Sequence, residues 1–253
     1  MFWRDVSLSY MRKIYMGRFI LRCFTLLAVS LFLAVAPEQF VPLQAGMFFD
    51  KLTLLHVLWV VWVFDMLAQV VPSTKAVIAL GSQKSFLAHF RKAHTPVSLQ
   101  SLRAKTAQAA KRAYIVFALW ACLTFGLGWL HAKNILGDLA MLWISTFFYV
   151  CDLICVLFWC PFRHFIMKNR CCTTCRIFNW DYIMICTPLM VLKGPLVLSA
   201  CILSVVLLIR WEITHLRHPH RFYESSNRSM RCSECQEHLC KYKRSLQRSC
   251  KSK

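Results

Sequence analysis

The chain has 253 residues, 58% of them apolar and 17% charged, with a mean hydropathy of +0.48. Thirty-one Lys and Arg stand against 11 Asp and Glu, a formal charge of +20. Such hydrophobicity excludes a disordered chain, 7 Gly and 8 Pro exclude collagen-like or low-complexity classes, and 9 Trp with 19 Phe do not suit a soluble basic domain, which leaves an all-α, multi-pass integral membrane protein.

Residues 1–18 carry four basic groups and one acid, with Trp3, Val6, Tyr10 and Ile14 at near-helical spacing. That pattern predicts an amphipathic segment lying in the headgroup layer. A first span follows over about 19–40, with Arg22 near its start and Pro37 and Pro42 near its exit. The apolar run Cys23–Ala36, closed by Ala34-Val35-Ala36, also has the form of a signal peptide. Pro37 directly after the cut is a poor cleavage context, and the leader is long, so the reading adopted is an uncleaved anchor. A second span is expected over 52–71.

The segment 72–113 holds eight basic residues and no acid, and is too long for a simple connection. Phe86, Leu87 and Phe90 lie a helical turn apart, which predicts a short interfacial helix. Ser98 is placed to cap a helix rich in good helix formers that runs into a third span over 114–131. A fourth span covers 139–159. The last apolar stretch, 182–209, is broken by Lys193-Gly194-Pro195, a point that lacks a backbone donor and carries a charge. It reads either as one kinked span or as a re-entrant hairpin. Residues 210–253 form a basic tail rich in Cys and His.

Lys/Arg asymmetry assigns the sides. The N-terminus, 72–113 and 160–181 are rich in basic groups, whereas 37–51 and 131–138 hold one each, so the former are expected in the cytoplasm. The tail, with eleven basic groups against four acids, obeys the same rule only if 182–209 is a hairpin, the favoured reading. The expected setting is a bacterial cytoplasmic membrane. Anionic headgroups are the natural partners of so much positive charge, alongside an unidentified membrane-protein partner. No nucleic-acid-binding module accompanies the charge.

Fourteen Cys exceed what helix packing demands. Cys23, Cys122, Cys151, Cys155, Cys186 and Cys201 lie in apolar stretches and read as small buried hydrophobes. Cys172-Thr-Thr-Cys175 and Cys232-Ser-Glu-Cys235 are two C-x2-C pairs in polar segments. Two thiolates on a tight turn occupy two corners of a tetrahedron around Zn2+, and two such turns complete it. Structural zinc is the expected occupant, with an iron–sulfur cluster or a redox dithiol as alternatives. Cys160, Cys171, Cys240 and His238 are auxiliary ligand candidates. The site requires the tail and 160–181 to share a compartment; otherwise the tail cysteines become candidates for disulfides.

Two acids fall inside spans, Asp65 in the second and Asp152 in the fourth. Both lie about 10 Å from the same end at ~1.5 Å per residue. Matched intramembrane carboxylates either share a proton or cation or pair with a base to fix helix packing, for which Lys193 is one candidate. Gln69 follows Asp65 by one turn, and Cys151 and Cys155 flank Asp152. Asp181 has the position of a helix-start acid, and Asn227-Arg-Ser229 matches a glycosylation acceptor by chance. No phosphate loop, nucleophile elbow or zinc-protease motif is present. The function expected is a membrane scaffold or regulatory partner without catalysis of its own; the alternative is a small proton or divalent-cation transporter using Asp65 and Asp152.

Overall fold

Long apolar runs satisfy their own backbone groups only as helices when no water is at hand. The computed structural model describes residues 10–43, 52–70, 82–86, 90–93, 97–169 and 171–234, and among these the secondary structure is helical, with one isolated bridge between Lys92 and Asn227. In chain order come α1 (Tyr10–Val35), α2 (Leu54–Val70), α3 (Leu99–Ala132), α4 (Asp138–Leu157), α5 (Asp181–Cys186) and α6 (Pro195–Arg217). Short 3-10 and π-helical turns connect them.

Four helices are long and apolar enough to cross a membrane: α1 from Lys13, α3, α4 and α6. Three of them hold the expected first, third and fourth spans, and the other is α6, from the last apolar stretch. The second apolar stretch forms α2, 17 residues long within the described residues. It starts just after Thr53, whose backbone N–H donates to His56 Nδ1 at 3.0 Å and so ends the extended approach there. The 182–209 stretch holds two helices with a non-helical step between them. α5 and a 3-10 turn over Thr187–Val191 precede the break, and α6 then runs for 23 residues. Pro195 sits at the first turn of α6, where a missing N–H costs nothing and a preset φ helps. Residues 210–217, assigned to the tail on sequence grounds, belong to this helix, which stops where Pro219 withdraws a donor.

The capped helix ahead of the third span is present. Ser98 Oγ accepts from the Ser101 N–H at 3.2 Å, and α3 continues for 34 residues, which is ~51 Å and well beyond a ~30 Å bilayer core. Residues 87–89, central to the expected interfacial helix, lie outside the described residues; Ser82–Ser85 form a 3-10 turn.

α1 lies along α4, α2 lies along α6, and α5 packs between α4 and α6. Trp62, Met66, Leu142, Leu189, Leu196 and Ala200 sit at the centre of the shared core. The outer faces stay apolar, with Phe24, Leu31, Phe117, Phe125, Leu198 and Ile209 all exposed.

One end of the bundle gathers most of the polar chain. Trp211 Nε1, in the penultimate turn of α6, donates to the Arg176 carbonyl at 2.8 Å, while the Arg176 guanidinium pairs with Glu212. Residues 218–234 fold back over residues 82–86 and 90–93, where Ala93 N donates to Ser226 O at 3.1 Å and Arg228 N to Arg91 O at 2.7 Å. Asn227, fully buried, joins the pieces: its amide nitrogen donates to Lys84 O and Arg221 O, both at 2.7 Å. Its side-chain oxygen accepts from Arg91 N and Ser229 N. The start of α3 and residues 82–86, 90–93, 160–169, 171–180 and 218–234 therefore share one end. At the other end, Trp59 Nε1 of α2 donates to Ser199 Oγ near the start of α6 at 2.8 Å.

Candidate functional site

Two polar clusters sit in or beside the helix bundle. The first is built on Arg22 of α1, which is only 3% exposed. Its Nη2 lies 2.9 Å from Asp65 Oδ2 on α2, and its Nη1 lies 2.6 Å from Asp152 Oδ2 on α4. Nη1 also donates to the Tyr149 carbonyl at 2.7 Å, and the guanidinium carbon stands 3.8 Å from the centre of the Tyr149 ring. One turn earlier, Arg18 meets the second oxygen of Asp65 at 3.1 Å. Tyr149 and Tyr182 both donate their hydroxyls to Asp65 Oδ2, at 3.0 and 2.8 Å, and Gln69 Nε2 donates to the Tyr182 oxygen at 3.1 Å.

The planar fork explains the use of arginine. A guanidinium presents several fixed donors and can reach two carboxylates and a carbonyl together, which an ammonium on a flexible stem cannot match. Two cations face two anions, so the cluster carries no net charge from these four groups. Burial of ions is costly unless each is paired and hydrogen-bonded, and here both conditions are met. The two acids are thus brought together, but around an arginine. Lys193, the base suggested by the sequence, is exposed. Arg22 could have been found from sequence: it lies near the start of its span, at a depth close to the acids when counted from the same end, with Arg18 one turn before it.

The second cluster is made of thiols. Cys172–Thr174 form a 3-10 turn closed by the Cys175 N–H on the Cys172 carbonyl at 2.9 Å, and both cysteines are buried. Cys232–Glu234 form the same type of turn, so both C-x2-C pairs open on the same local geometry. The Cys175 sulfur accepts backbone N–H bonds from Ile177 and Arg176. Burial nonetheless pushes its thiol up to about 11. Cys160, between α4 and a π-helical turn over Phe162–Met167, is also buried, and Cys171 is half-buried. No disulfide joins any of the described cysteines.

Among the described residues, no group of three or more His, Cys, Asp or Glu side chains is disposed to hold a metal ion. Cys235, Cys240 and His238 lie outside the described residues. Cys155, which by sequence reads as a small buried hydrophobe beside Asp152, lies against this cluster: its thiol meets Cys160, and its carbonyl accepts from Cys172 Sγ at 3.1 Å. Nothing in a C-x4-C spacing across a helix end marks such a contact in advance.

Comparison of the chain with protein-family models, curated proteins and solved structures finds no match.

Proposed function

We propose that this protein is a multi-pass membrane scaffold or regulatory partner whose basic, cysteine-rich end faces the cytoplasm and is stapled by a structural zinc ion. The outward apolar faces of α1, α3 and α6 are the surface that lipid tails would cover. In this reading the 182–217 stretch enters by α5 and returns by α6, so the tail lies on the same side as the N-terminus and every basic segment obeys the positive-inside rule. Anionic headgroups then neutralise part of the charge on that face.

The observation that supports the metal is the repeated turn. Cys172–Thr174 and Cys232–Glu234 each start a 3-10 turn at the first cysteine of a C-x2-C pair, and both lie at the end of the bundle where the tail folds back. Backbone N–H groups aimed at Cys175 suit a sulfur that becomes a thiolate on binding metal. Cys172, Cys175, Cys232 and Cys235 would hold the ion. Zinc there supplies a cross-link between loop and tail, with no open position for a substrate.

Metal content of the detergent-purified chain, beside a Cys232→Ser/Cys235→Ser variant, tests the proposal. About one zinc per chain, lost in the variant, is expected for a four-thiolate site. Protein prepared without chelator that contains no zinc overturns the metal reading, and visible absorbance with bound iron replaces it by a cluster.

A further inference from the structure

Past the last turn of α6, two segments bring basic side chains together. Pro219–Phe222 form a 3-10 turn that carries His220 and Arg221. Phe222 anchors it, with its ring 4.8 Å from Trp211 and 4.8 Å from His215. His218 precedes the turn, and its ring lies 5.9 Å from that of His220. Lys92 comes from the other segment. It forms the bridge with Asn227, while Ala93 N donates to Ser226 O and Ser226 Oγ donates to the His220 carbonyl. Phe90 lies against both residues of the turn, its ring 5.3 Å from that of His220 and 5.8 Å from the Arg221 guanidinium carbon.

These four basic groups stand together without an acid. Among the described residues, the side chains of Lys92, His218, His220 and Arg221 make no ion pair and no hydrogen bond. Glu234 is taken by Arg228, and Glu224 pairs with none of the four. Arg221 Nε is shut off from solvent and meets no acceptor among these residues. Like charges in one place repel, and a buried charged donor is costly unless it is paired. The effect is felt at His220, whose imidazole is held below its ordinary range by burial first and then by Arg221, His218 and Lys92. The C-terminal end of α6 favours cations near it, which accounts for His218 but not for Lys92, brought in from another segment.

We propose that Lys92, His220 and Arg221, with His218 beside them, form a binding site for a phosphate group. A guanidinium offers paired N–H donors that match two phosphate oxygens, an ammonium adds a compact charge, and a protonated imidazole donates to a third oxygen. The bound anion replaces repulsion by pairing, so it also favours the charged form of His220. Two sources carry this chemistry, a lipid headgroup and free phosphate. The site follows directly on the apolar helix α6, which in the proposed topology puts it at headgroup depth on the cytoplasmic face. Only the lipid source rests on that reading; the site itself stands on the contacts of the turn.

Isothermal titration of the full chain in non-ionic detergent tests the site with two probes. One is phosphatidic acid, with diacylglycerol of the same chains as its blank; the other is inorganic phosphate, with chloride as its blank. A headgroup site binds phosphatidic acid in a way that excess inorganic phosphate does not displace, and a free-phosphate site binds inorganic phosphate itself. In either case Lys92→Gln/Arg221→Gln is expected to weaken the bound probe by about tenfold, since charge-assisted hydrogen bonds are lost. Lys92→Gln alone changes an exposed side chain, leaves the packing of the turn intact, and is expected to show part of that loss. Arg103→Gln/Lys111→Gln removes two charges from exposed positions on α3 and is expected to bind like the wild type. Equal loss in the two double variants, or neither probe binding above its blank, overturns the proposal. The titration is repeated on Cys232→Ser/Cys235→Ser protein. A chain that never holds zinc but still tells the variants apart leaves this site standing, and a zinc-loaded chain that does not tell them apart defeats it alone.

Discussion

Arg22 decides how the two intramembrane acids behave. With the guanidinium in place, Asp65 and Asp152 each have an ion pair, and Asp65 has two tyrosine donors besides. Removing the cation leaves Asp152 without its ion pair and Asp65 with Arg18 alone. Breaking a buried ion pair from one side typically costs about 3–5 kcal/mol, because the remaining charge is left uncompensated. Arg22→Met is therefore expected to lower the unfolding temperature in detergent sharply, and Arg22→Lys to recover only part of the loss. Adding Asp65→Asn and Asp152→Asn to Arg22→Met is expected to restore much of the stability, since the triple variant buries no charge at these positions. A triple variant no more stable than Arg22→Met would show that the network is not held by charge pairing. Asp65 and Asp152 were legible in the sequence, because an acid inside an apolar run stands out. Their partner was present in the same sequence but not paired by it: Arg22 lies 43 residues from one acid and 130 from the other.

Among the elements, the folded-back tail turns on one amide. Asn227 is completely buried and uses both its donor and acceptor atoms, binding residues 84, 91, 221 and 229. The glycosylation match at this position has no accessible amide to modify, since both contacts to the nitrogen are taken by carbonyls. Asn227→Ala leaves two carbonyls and two N–H groups short of a partner, and each buried unsatisfied group costs about 1–3 kcal/mol. The expected outcome is a local one: limited proteolysis cuts between residues 218 and 234 far faster than in the wild type, while the thermal midpoint of the helices changes little. Equal cleavage rates would mean that Phe222, packed on Trp211 and His215, holds the tail without help. The cap at Ser98 and the break at Lys193-Gly194-Pro195 could be read in advance, because caps and prolines act through their immediate neighbours. The full length of α6 could not. Its last turns carry Trp211 and Glu212, polar groups that persist in the helix because Arg176 and Trp180 meet them from another segment.

At the scale of the molecule, the described parts of the basic segments, around residues 82–86, 90–93, 160–169, 171–180 and 218–234, gather at one end, which makes a topology prediction that can be checked without knowing the activity. Single-cysteine variants labelled in intact cells with a membrane-impermeant maleimide are expected to react from outside at position 134 and to stay protected at positions 91 and 228. Labelling of 228 but not 91 would put the tail outside and end the hairpin reading. It would also separate the two C-x2-C pairs and remove the zinc site.

The sequence by itself determined that this chain is helical and made of membrane-length apolar elements, because run length and composition answer directly to the thickness and dryness of a bilayer. It also determined which residues are anomalous there: two acids inside spans and clustered thiols. Only the tertiary structure decided that Arg22 stands between the acids, that α6 returns to the end where Arg176 waits, and that Cys155, Cys160 and Cys172 share one sulfur-rich corner. Each of these depends on the depth and rotation of helices far apart in the chain, and no local pattern carries that information.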